Sequence, residues 1–383
     1  MDKKTLFAVI IIVCLVLLVA IFGSGSISGL FLADSVQSVQ GDSLKLGVIG
    51  VLSGPVALSW GIDAKNGITL AVEDAKKLYD LNIQVISGDS AASPEEGISE
   101  FRRINSIASP DVFIVEASAV ASAIAPLAKD YGKPIMFTAT AAENITSAND
   151  LLFRNFYLCE EEAPFMAKRA IDLNIQKIVV LFQKEPFGES CSKLFISTFE
   201  SLGGKIVSTD SFLPTDLDFR TQLLKIKNLG MDSIYAVGYE NQMLGIVKQM
   251  NEMDINKIIL AGRLIFTPAI RGQVIEYTKG KKVFFGGNDF YLDSKEALEF
   301  SGRYFKKYGK MPSHVAAYAY DSVLLIASAY KISNAKSILL KAALKEAKIS
   351  GVNGDLSFNS KRETSQPAYL LTINASGKAE IVK

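Results

Sequence analysis

The sequence is poor in the side chains that most enzymes and metal proteins use. Its 383 residues include one His and three Cys. Clusters of Cys and His that bind metals, and most acid–base schemes built on His, therefore lack the residues they need. The sequence also has no excess of charge of either sign, with 41 Lys and Arg against 40 Asp and Glu. A nucleic-acid surface needs a basic excess, so no nucleic-acid partner is expected.

Motifs for phosphate binding and nucleophilic catalysis are missing as well. Residues Gly47–Gly50 read GVIG, which is not the GxGxxG fingerprint, and the chain has neither a GxxxxGK[ST] loop nor a GxSxG elbow. The lone His314 is interpreted as a residue that starts or lines a helix. Scattered carboxylates leave catalysis open in principle, but no cofactor is expected and the chain is not predicted to be an enzyme.

One long apolar run is present, and it sets the expected compartment. After Asp2-Lys3-Lys4, the residues Leu6 to Phe22 form an unbroken apolar stretch of about 17 residues, near the lower limit for a membrane-spanning helix. The preceding lysines predict export of everything that follows. A cleaved signal and an uncleaved anchor both fit, and the anchor is favoured. Residues 23–43 are interpreted as a flexible stalk.

Two cysteines fall in the exported part, Cys159 and Cys191. An oxidising compartment permits a disulfide between them, but two buried thiols are equally compatible with the sequence. The pairing is left open at this point.

The rest of the chain alternates short apolar runs with segments of helical spacing. Leu44–Leu52 is predicted to be a buried strand, followed by a loop of about 13 residues and a helix from Asn66. Further strands are predicted at Val112–Val115 and Ser233–Val237, among others. Alternation of this kind predicts parallel sheets covered by helices, and the length suits two domains of the same α/β class.

Polar and aromatic residues follow several of the predicted strands. Hydroxyls, aromatics and one cation recur at these places, which is typical of a small-molecule site with apolar walls and a few polar groups. Open α/β sheets bind ligands at the carboxyl ends of their strands. The candidates are Trp60, Ser118, Thr140, Phe187, Tyr239 and Arg263. Taken singly, Ser118 and Thr140 also suit helix caps.

Many short segments together resemble the type I periplasmic binding proteins of the leucine/isoleucine/valine-binding kind. They include LGVIGVLSGPVALSWG, GDSAASPEEG, ASAVASAIAPLAKDYGKPIMFTATAAENIT, FGES, DFRTQLLKIKNLGMDSIYAVGYENQ, YFKKYGKMPSHVAAYAYDSV and GVNGDLSFN. The resemblance implies two doubly wound parallel-sheet lobes, joined by a three-segment hinge, that close on a small ligand. The expected boundaries are 1–22 for the anchor or signal, 44–156 with 290–357 for lobe 1, and 157–289 with 358–383 for lobe 2.

The resemblance also assigns roles to residues of this sequence. Ser118 matches the serine that holds the ligand carboxylate, and Ala139 with Thr140 matches a second carboxylate-binding segment one residue out of the usual spacing. The aromatic walls fall on Trp60, Phe187 and Tyr239.

Arg263 departs from the pattern of the family. It stands where amino-acid binders carry a carboxylate that pairs with the ligand ammonium. A buried cation there repels an ammonium and favours an anion. The implied function is the membrane-tethered, extracytoplasmic component of an ABC uptake system, monomeric, with permease partners and an organic acid as ligand. Alternatives are an amino-acid binder, a sensor domain that acts through a partner, and an exported enzyme; a shift in alignment would place Arg263 on the surface.

Overall fold

A computed structural model describes residues 42–54, 57–288, 290, 294–364, 366 and 368–382. The predicted N-terminal helix and most of the predicted stalk lie outside these residues. Within the described part, no single helix has the length and hydropathy of a membrane span; one bent pair, His314–Lys336 with Leu340–Glu346, passes on length and composition alone.

The first sheet has five parallel strands in the order β2-β1-β3-β4-β5. Its strands are β1 (Asp42–Gly50), β2 (Leu81–Asp89), β3 (Val112–Val115), β4 (Ile135–Phe137) and β5 (Leu152–Arg154). Helices α1 (Ile62–Tyr79), α2 (Pro94–Ala108), α3 (Ser118–Ile124) and α4 (Leu127–Tyr131) connect them. We call this sheet, with the helices packed on it, lobe 1.

The second sheet has seven strands in the order β14-β13-β10-β9-β8-β6-β7. Five are parallel: β6 (Lys177–Gln183), β7 (Lys205–Phe212), β8 (Ser233–Val237), β9 (Ile258–Ala261) and β10 (Val283–Gly287). Helix α5 (Cys159–Asp172) precedes β6, and the helices between the strands are α6 (Pro186–Ser201), α7 (Arg220–Lys227), α8 (Glu240–Glu252) and α9 (Arg271–Tyr277). We call this sheet and its helices lobe 2.

The C-terminal part of the chain contributes helices and strands to both lobes. Helices α10 (Lys295–Tyr308), α11 (His314–Lys336) and α12 (Leu340–Glu346) return to lobe 1, and the hairpin β11 (Lys348–Gly351) with β12 (Gly354–Ser357) follows. Strands β13 (Tyr369–Ile373) and β14 (Ala379–Ile381) then join lobe 2 in antiparallel pairing. The second sheet is therefore mixed, because its edge is built from the C-terminal strands, and not wholly parallel as predicted.

The start of α1 differs from the sequence prediction. A π-helix, Ala57–Gly61, leads directly into α1 at Ile62, so the helix begins before Asn66 and the predicted long loop is much shorter. Trp60, Ala64 and Ile68 recur at four-residue spacing and are all buried, which gives this early turn its inner face. Gly61 is required here, since a Cβ at this position would lie 1.7 Å from the Val51 oxygen.

Helices α1 and α11 pack closely in lobe 1. A Cβ on Gly67 of α1 would meet the Ala316 oxygen at 2.2 Å, so only glycine permits this approach. Nearly every residue of α11 from His314 to Ala327 is buried. The prediction of a very apolar core helix in this region is confirmed.

The order of the strands requires the chain to pass between the lobes three times, after β5, after β10 and before β13; the second and third passages include residues outside the described ranges. The first and last passages run side by side, with the Arg154 N–H donating to the Arg362 oxygen and the Thr364 N–H to the Arg154 oxygen, each at 2.9 Å. Asn155 Nδ2 donates to the Tyr318 oxygen of α11 at 3.2 Å. The lobe boundaries given above from the sequence stay a prediction, but these passages define a hinge of three segments.

A buried ion pair joins the two adjacent hinge segments. Arg154 is fully buried, and its guanidinium contacts the carboxylate of Glu363, which is itself 4% exposed. Glu363 also accepts a hydrogen bond from the Thr146 hydroxyl at 2.9 Å. Each charge therefore depends on the other to offset the cost of its burial.

Arg154→Ala is expected to lower the free energy of unfolding by about 3–5 kcal/mol, because it leaves the Glu363 carboxylate buried without its partner. Urea unfolding followed by circular dichroism measures this change. The control is Arg103→Ala, which removes an exposed pair with Glu100 and is expected to cost less than about 1 kcal/mol. Equal losses in the two variants would contradict the role given to the hinge pair.

Candidate functional site

A narrow cavity lies between the lobes at the carboxyl ends of their strands. Its volume is about 10 Å³, room for roughly one water molecule, because side chains from the two lobes meet across it. Residues from seven loops and helix starts form its walls: Trp60, Ser118, Ala139, Ala141, Phe156, Tyr157, Phe187, Tyr239 and Leu264. Five of the seven sequence-predicted site residues are thus brought together.

Three predicted aromatic residues form one wall of the cavity. The rings of Phe187 and Tyr239, both from lobe 2, are stacked with an angle of 3° and centroids 6.0 Å apart. The rings of Trp60 in lobe 1 and Tyr239 make a T-shaped contact, with 4.8 Å between their centroids. This contact crosses the cleft, so a ligand of any size enters only if Trp60 and Tyr239 move apart.

The indole nitrogen of Trp60 is a hydrogen-bond donor that a ligand could use. Its Nε1 is buried and has no hydrogen-bond partner among the described residues. A buried donor without an acceptor costs free energy that a ligand acceptor recovers. The indole is therefore suited to donate to a bound molecule.

Ser118 lies opposite the aromatic wall, at the start of α3. Its Oγ accepts hydrogen bonds from the N–H groups of Ala141 and Ala142 at 3.1 and 3.2 Å. Because these bonds use the lone pairs of the oxygen, the hydroxyl hydrogen remains to donate to a ligand.

The backbone beside Ser118 is held in unfavourable conformations. Ala117 has φ 68° and Ala139 has φ 49°, and the Ala117 N–H donates to the Ala139 oxygen at 3.2 Å. Non-glycine residues rarely adopt positive φ, and such strain concentrates at ligand sites. The two loops after β3 and β4 are thereby joined at the cavity edge.

Thr140 is placed differently from the expectation of a ligand-facing hydroxyl. It is fully buried, does not line the cavity, and its Oγ1 donates to the Thr138 oxygen at 2.9 Å. The hydroxyl therefore stabilises the turn after β4, and the cavity wall at this point is formed by Ala139 and Ala141.

Arg263 lies behind the cavity wall and not on the surface. It is 3% exposed, and its guanidinium stacks on the Tyr157 ring with 4.0 Å between the guanidinium carbon and the ring centroid. Its Nη1 donates to the Tyr318 hydroxyl at 3.3 Å. Arg263 lines a neighbouring small cavity, separated from the aromatic one by Phe156 and Tyr157.

The carboxylate of Glu162 neutralises Arg263. Its Oε2 lies 2.7 Å from Nη2 and 2.9 Å from Nε of Arg263. The run Glu160–Glu162 does stand at the start of α5, as a charged helix N-terminus, but Glu162 is buried. Arg263 is therefore not the unpaired buried cation that the sequence suggested, because Glu162 of α5, 101 residues earlier in the chain, pairs with it.

The cavity also includes residues that sequence reasoning did not select. Ala141, Phe156, Tyr157 and Leu264 all line it. Phe156 and Tyr157 directly follow β5, so the rule that ligands lie at the carboxyl ends of parallel strands could have identified them.

Comparison with known proteins decides the family. A model of the periplasmic binding protein family matches residues 43–378. The chain belongs to this family. The predicted resemblance is thereby confirmed, and with it the α/β fold of this family; the N-terminal helix that was part of the fold prediction lies outside the described residues.

Relatives of this periplasmic binding protein are named for binding solutes. A Leu, Ile, Val, Thr and Ala-binding protein of Pseudomonas aeruginosa is 26% identical over 61% of this chain and 65% of its own length. A Leu/Ile/Val-binding protein homologue of Brucella abortus is 23% identical over 84% of this chain and 88% of its own. The chain spans less than two thirds of the length of the former. These binding proteins confirm that the chain is not an enzyme.

Solved structures share the fold. LivJ of Streptococcus pneumoniae, in complex with isoleucine, has a TM-score of 0.78 and 27% identity, covering 89% of this chain and all of its own. A solute-binding protein of R. palustris, in complex with benzoate, has a TM-score of 0.81 and 21% identity, covering 89% and 95%.

A disulfide holds one side of the cavity in this periplasmic binding protein. Cys159, the first residue of α5, is bonded to Cys191 of α6, with 4.8 Å between the Cα atoms. The open question of the two thiols is thus answered. Phe187 lies one turn before Cys191 on α6, so the bond fixes an aromatic wall to the segment that leaves the hinge.

Two buried carboxyls stand beside Tyr239 in lobe 2. Burial raises the pKa of Glu185 to about 7, although the N–H groups of Phe187 and Gly188 donate to it. Burial also raises the pKa of Glu240 to about 7, and the charge of Asp63 on α1 adds to this shift.

Glu240→Gln is expected to change how stability depends on pH. A carboxyl whose pKa is raised in the folded state stabilises the fold fully below its unfolded pKa, and the contribution is lost as pH rises towards 7. The variant should therefore gain stability relative to the wild type at pH 8 and little at pH 4.5. Urea unfolding at both pH values measures this. Glu252→Gln, an exposed change on the same helix, serves as control, and an equal gain there would refute the assignment.

Proposed function

We propose that this chain is the extracytoplasmic solute-binding component of an ABC uptake system, and that it binds a small organic acid between its two lobes. The family and the solute-binding neighbours support the first part. An export signal or anchor in residues 1–22 fits this role. The permease subunits are the partners that such a system requires.

The observation that carries the ligand proposal is the pairing of Ser118 with an aromatic wall. Ser118 has a hydroxyl hydrogen to donate, the buried Trp60 Nε1 is a second donor, and Phe187 with Tyr239 offers flat apolar surface. Two donors beside stacked rings suit a carboxylate carried on an apolar or aromatic body. Ala139 and Thr140 shape the turn that holds Ser118's bonding partners.

Arg263 supports an acid ligand in a different way from the one first expected. The ion pair with Glu162 is neutral as a unit, so it offers no free positive charge. It does, however, engage the buried carboxylate of the neighbouring small cavity, and an ammonium would have to compete with a guanidinium for it. A ligand without an ammonium avoids that competition.

Solved structures that share the fold contain either an organic acid or an amino acid as ligand. One R. palustris neighbour is bound to benzoate and another to 4-hydroxybenzoate, whereas LivJ is bound to isoleucine. The Arg263–Glu162 pair favours the organic acid for this chain. A thermal-shift panel of amino acids and organic acids separates the two, and stabilisation by neutral amino acids alone would reject the organic-acid proposal.

Ser118→Ala is expected to raise the Kd for benzoate about tenfold, since one hydrogen bond to a carboxylate is lost. Isothermal titration calorimetry measures the Kd. Ser122→Ala is the matched control, because the Ser122 hydroxyl donates to the Ser118 oxygen within α3 and faces no ligand. If both variants bind benzoate like the wild type, the hydroxyl is not a ligand contact.

Glu162→Gln is expected to act in opposite directions on the two ligand classes. The change leaves Arg263 positively charged, which should tighten binding of benzoate and weaken any binding of isoleucine. Calorimetry with both compounds measures the direction. Glu189→Gln removes an exposed carboxylate at the start of α6 and should leave both affinities unchanged. Weaker benzoate binding in Glu162→Gln would show that the charge of Arg263 does not reach the ligand.

A further inference from the structure

A second cavity, separate from the cleft, lies in lobe 1 between α1 and the strands β1 and β2. Its volume is about 340 Å³, which falls in the range of small-molecule sites. Residues of α1, both strands and the loop after β3 form it: Val48, Gly50, Leu52, Gly61, Lys65, Ile68, Thr69, Val72, Glu73, Val85, Ser87 and Glu116. None of these lines the aromatic cavity of the cleft.

The walls of this lobe 1 groove are mainly apolar. Val48, Ile68 and Val72 give it an aliphatic floor, and Val85 on the edge strand β2 is 36% exposed. Exposed polar residues, Lys65, Thr69 and Glu73 of α1, lie at its rim. An apolar groove with a polar rim favours a molecule that is itself largely apolar.

One buried polar side chain, that of Glu116, lines the lobe 1 groove. Glu116 is 1% exposed and lines the groove, where the Val51 N–H donates to its Oε2 at 3.3 Å. Burial raises the pKa of Glu116 to about 8, so the carboxyl carries its proton at neutral pH. A protonated carboxyl donates one hydrogen bond in addition to those it accepts.

The fold uses one oxygen of this carboxyl to accept the hydrogen bond from the Val51 N–H, and the proposed uptake function uses neither oxygen. An apolar residue of similar size would fill the end of the groove without the desolvation cost that an acid brings. By contrast, the other buried acids of lobe 1 have clear partners, such as Asp63 with the Tyr304 hydroxyl at 2.7 Å.

We propose that the lobe 1 groove is a second ligand site, which takes a small uncharged apolar molecule bearing a carbonyl or similar acceptor that receives a hydrogen bond from Glu116. A flat protein surface does not reach Glu116, since that residue is enclosed at the end of the groove. A small molecule of matching volume can reach Glu116.

The test uses acetophenone, a neutral aryl ketone, and ethylbenzene, its counterpart without the acceptor. Saturation-transfer NMR and titration of the full chain measure binding of each. We expect acetophenone to bind more tightly than ethylbenzene, and excess benzoate not to displace it. Displacement by benzoate would place acetophenone in the cleft and overturn the second site, while leaving the uptake proposal intact.

Two groups of variants locate the binding. Thr69→Trp places a large ring over the groove from the exposed side of α1 and should weaken acetophenone binding more than about tenfold. Leu78→Trp, at a position 65% exposed on the same helix, should leave it unchanged. Binding that survives Thr69→Trp would reject the groove as the site.

The role of Glu116 has its own pair of variants. Glu116→Gln keeps an acceptor for Val51 and a donor for the ketone, so acetophenone binding should stay within about threefold of the wild type. Glu116→Leu should weaken acetophenone about tenfold and leave ethylbenzene unchanged. Equal effects of both variants on both compounds would show that no hydrogen bond from Glu116 is involved. Circular dichroism confirms that each variant is folded.

Discussion

The arrangement of the two lobes depends on the buried contact between Arg154 and Glu363. These residues come from hinge segments more than two hundred positions apart in the chain. Without Arg154 the Glu363 carboxylate would be a buried charge without its cation, whereas Arg154 also lies 3.5 Å from a carboxylate oxygen of Glu160. The backbone bonds on either side of Arg154 hold the same two segments in register. The ion pair therefore holds together two of the segments that connect the lobes, and neither of its residues lines the cavity of the cleft.

A similar principle governs the cleft itself. Arg263 and Glu162 form a second buried pair, and the stacked ring of Tyr157 lies between the guanidinium and the aromatic cavity. The charge near the ligand is thus set by a balance of two residues on different elements. Neutralising one of the two residues would leave the other as an unpaired charge, which then dominates the local electrostatic potential.

Sequence patterns predicted much of the fold because strand ends are marked locally. β3 and β8 begin and end where predicted, each being a short run of β-branched and aromatic residues between polar or turn-forming neighbours. The start of α1 was missed because the turn at Gly61 depends on its contact with the Val51 backbone, which lies ten residues earlier. The antiparallel edge of the second sheet was also missed, because it forms by pairing of β10 with β13, which lies far along the chain.

For the site, the strand-end rule brought together Trp60, Ser118, Ala139, Phe187 and Tyr239 without knowledge of the structure. It could not show that Thr140 turns its hydroxyl to its own backbone, nor that Glu162 pairs with Arg263, since both depend on side-chain direction and on packing between distant elements. Tyr157 was missed although it follows β5, because no strand was predicted there from the periodicity of the sequence.

The contact of Trp60 with Tyr239 has a practical consequence. Trp60 is the single Trp of the chain, and it stands where one lobe touches the other. Its indole moves from a buried, apolar surrounding towards water when the lobes part. The emission of this one fluorophore therefore reports the open and closed populations of the unlabelled protein, with no other indole to obscure the signal.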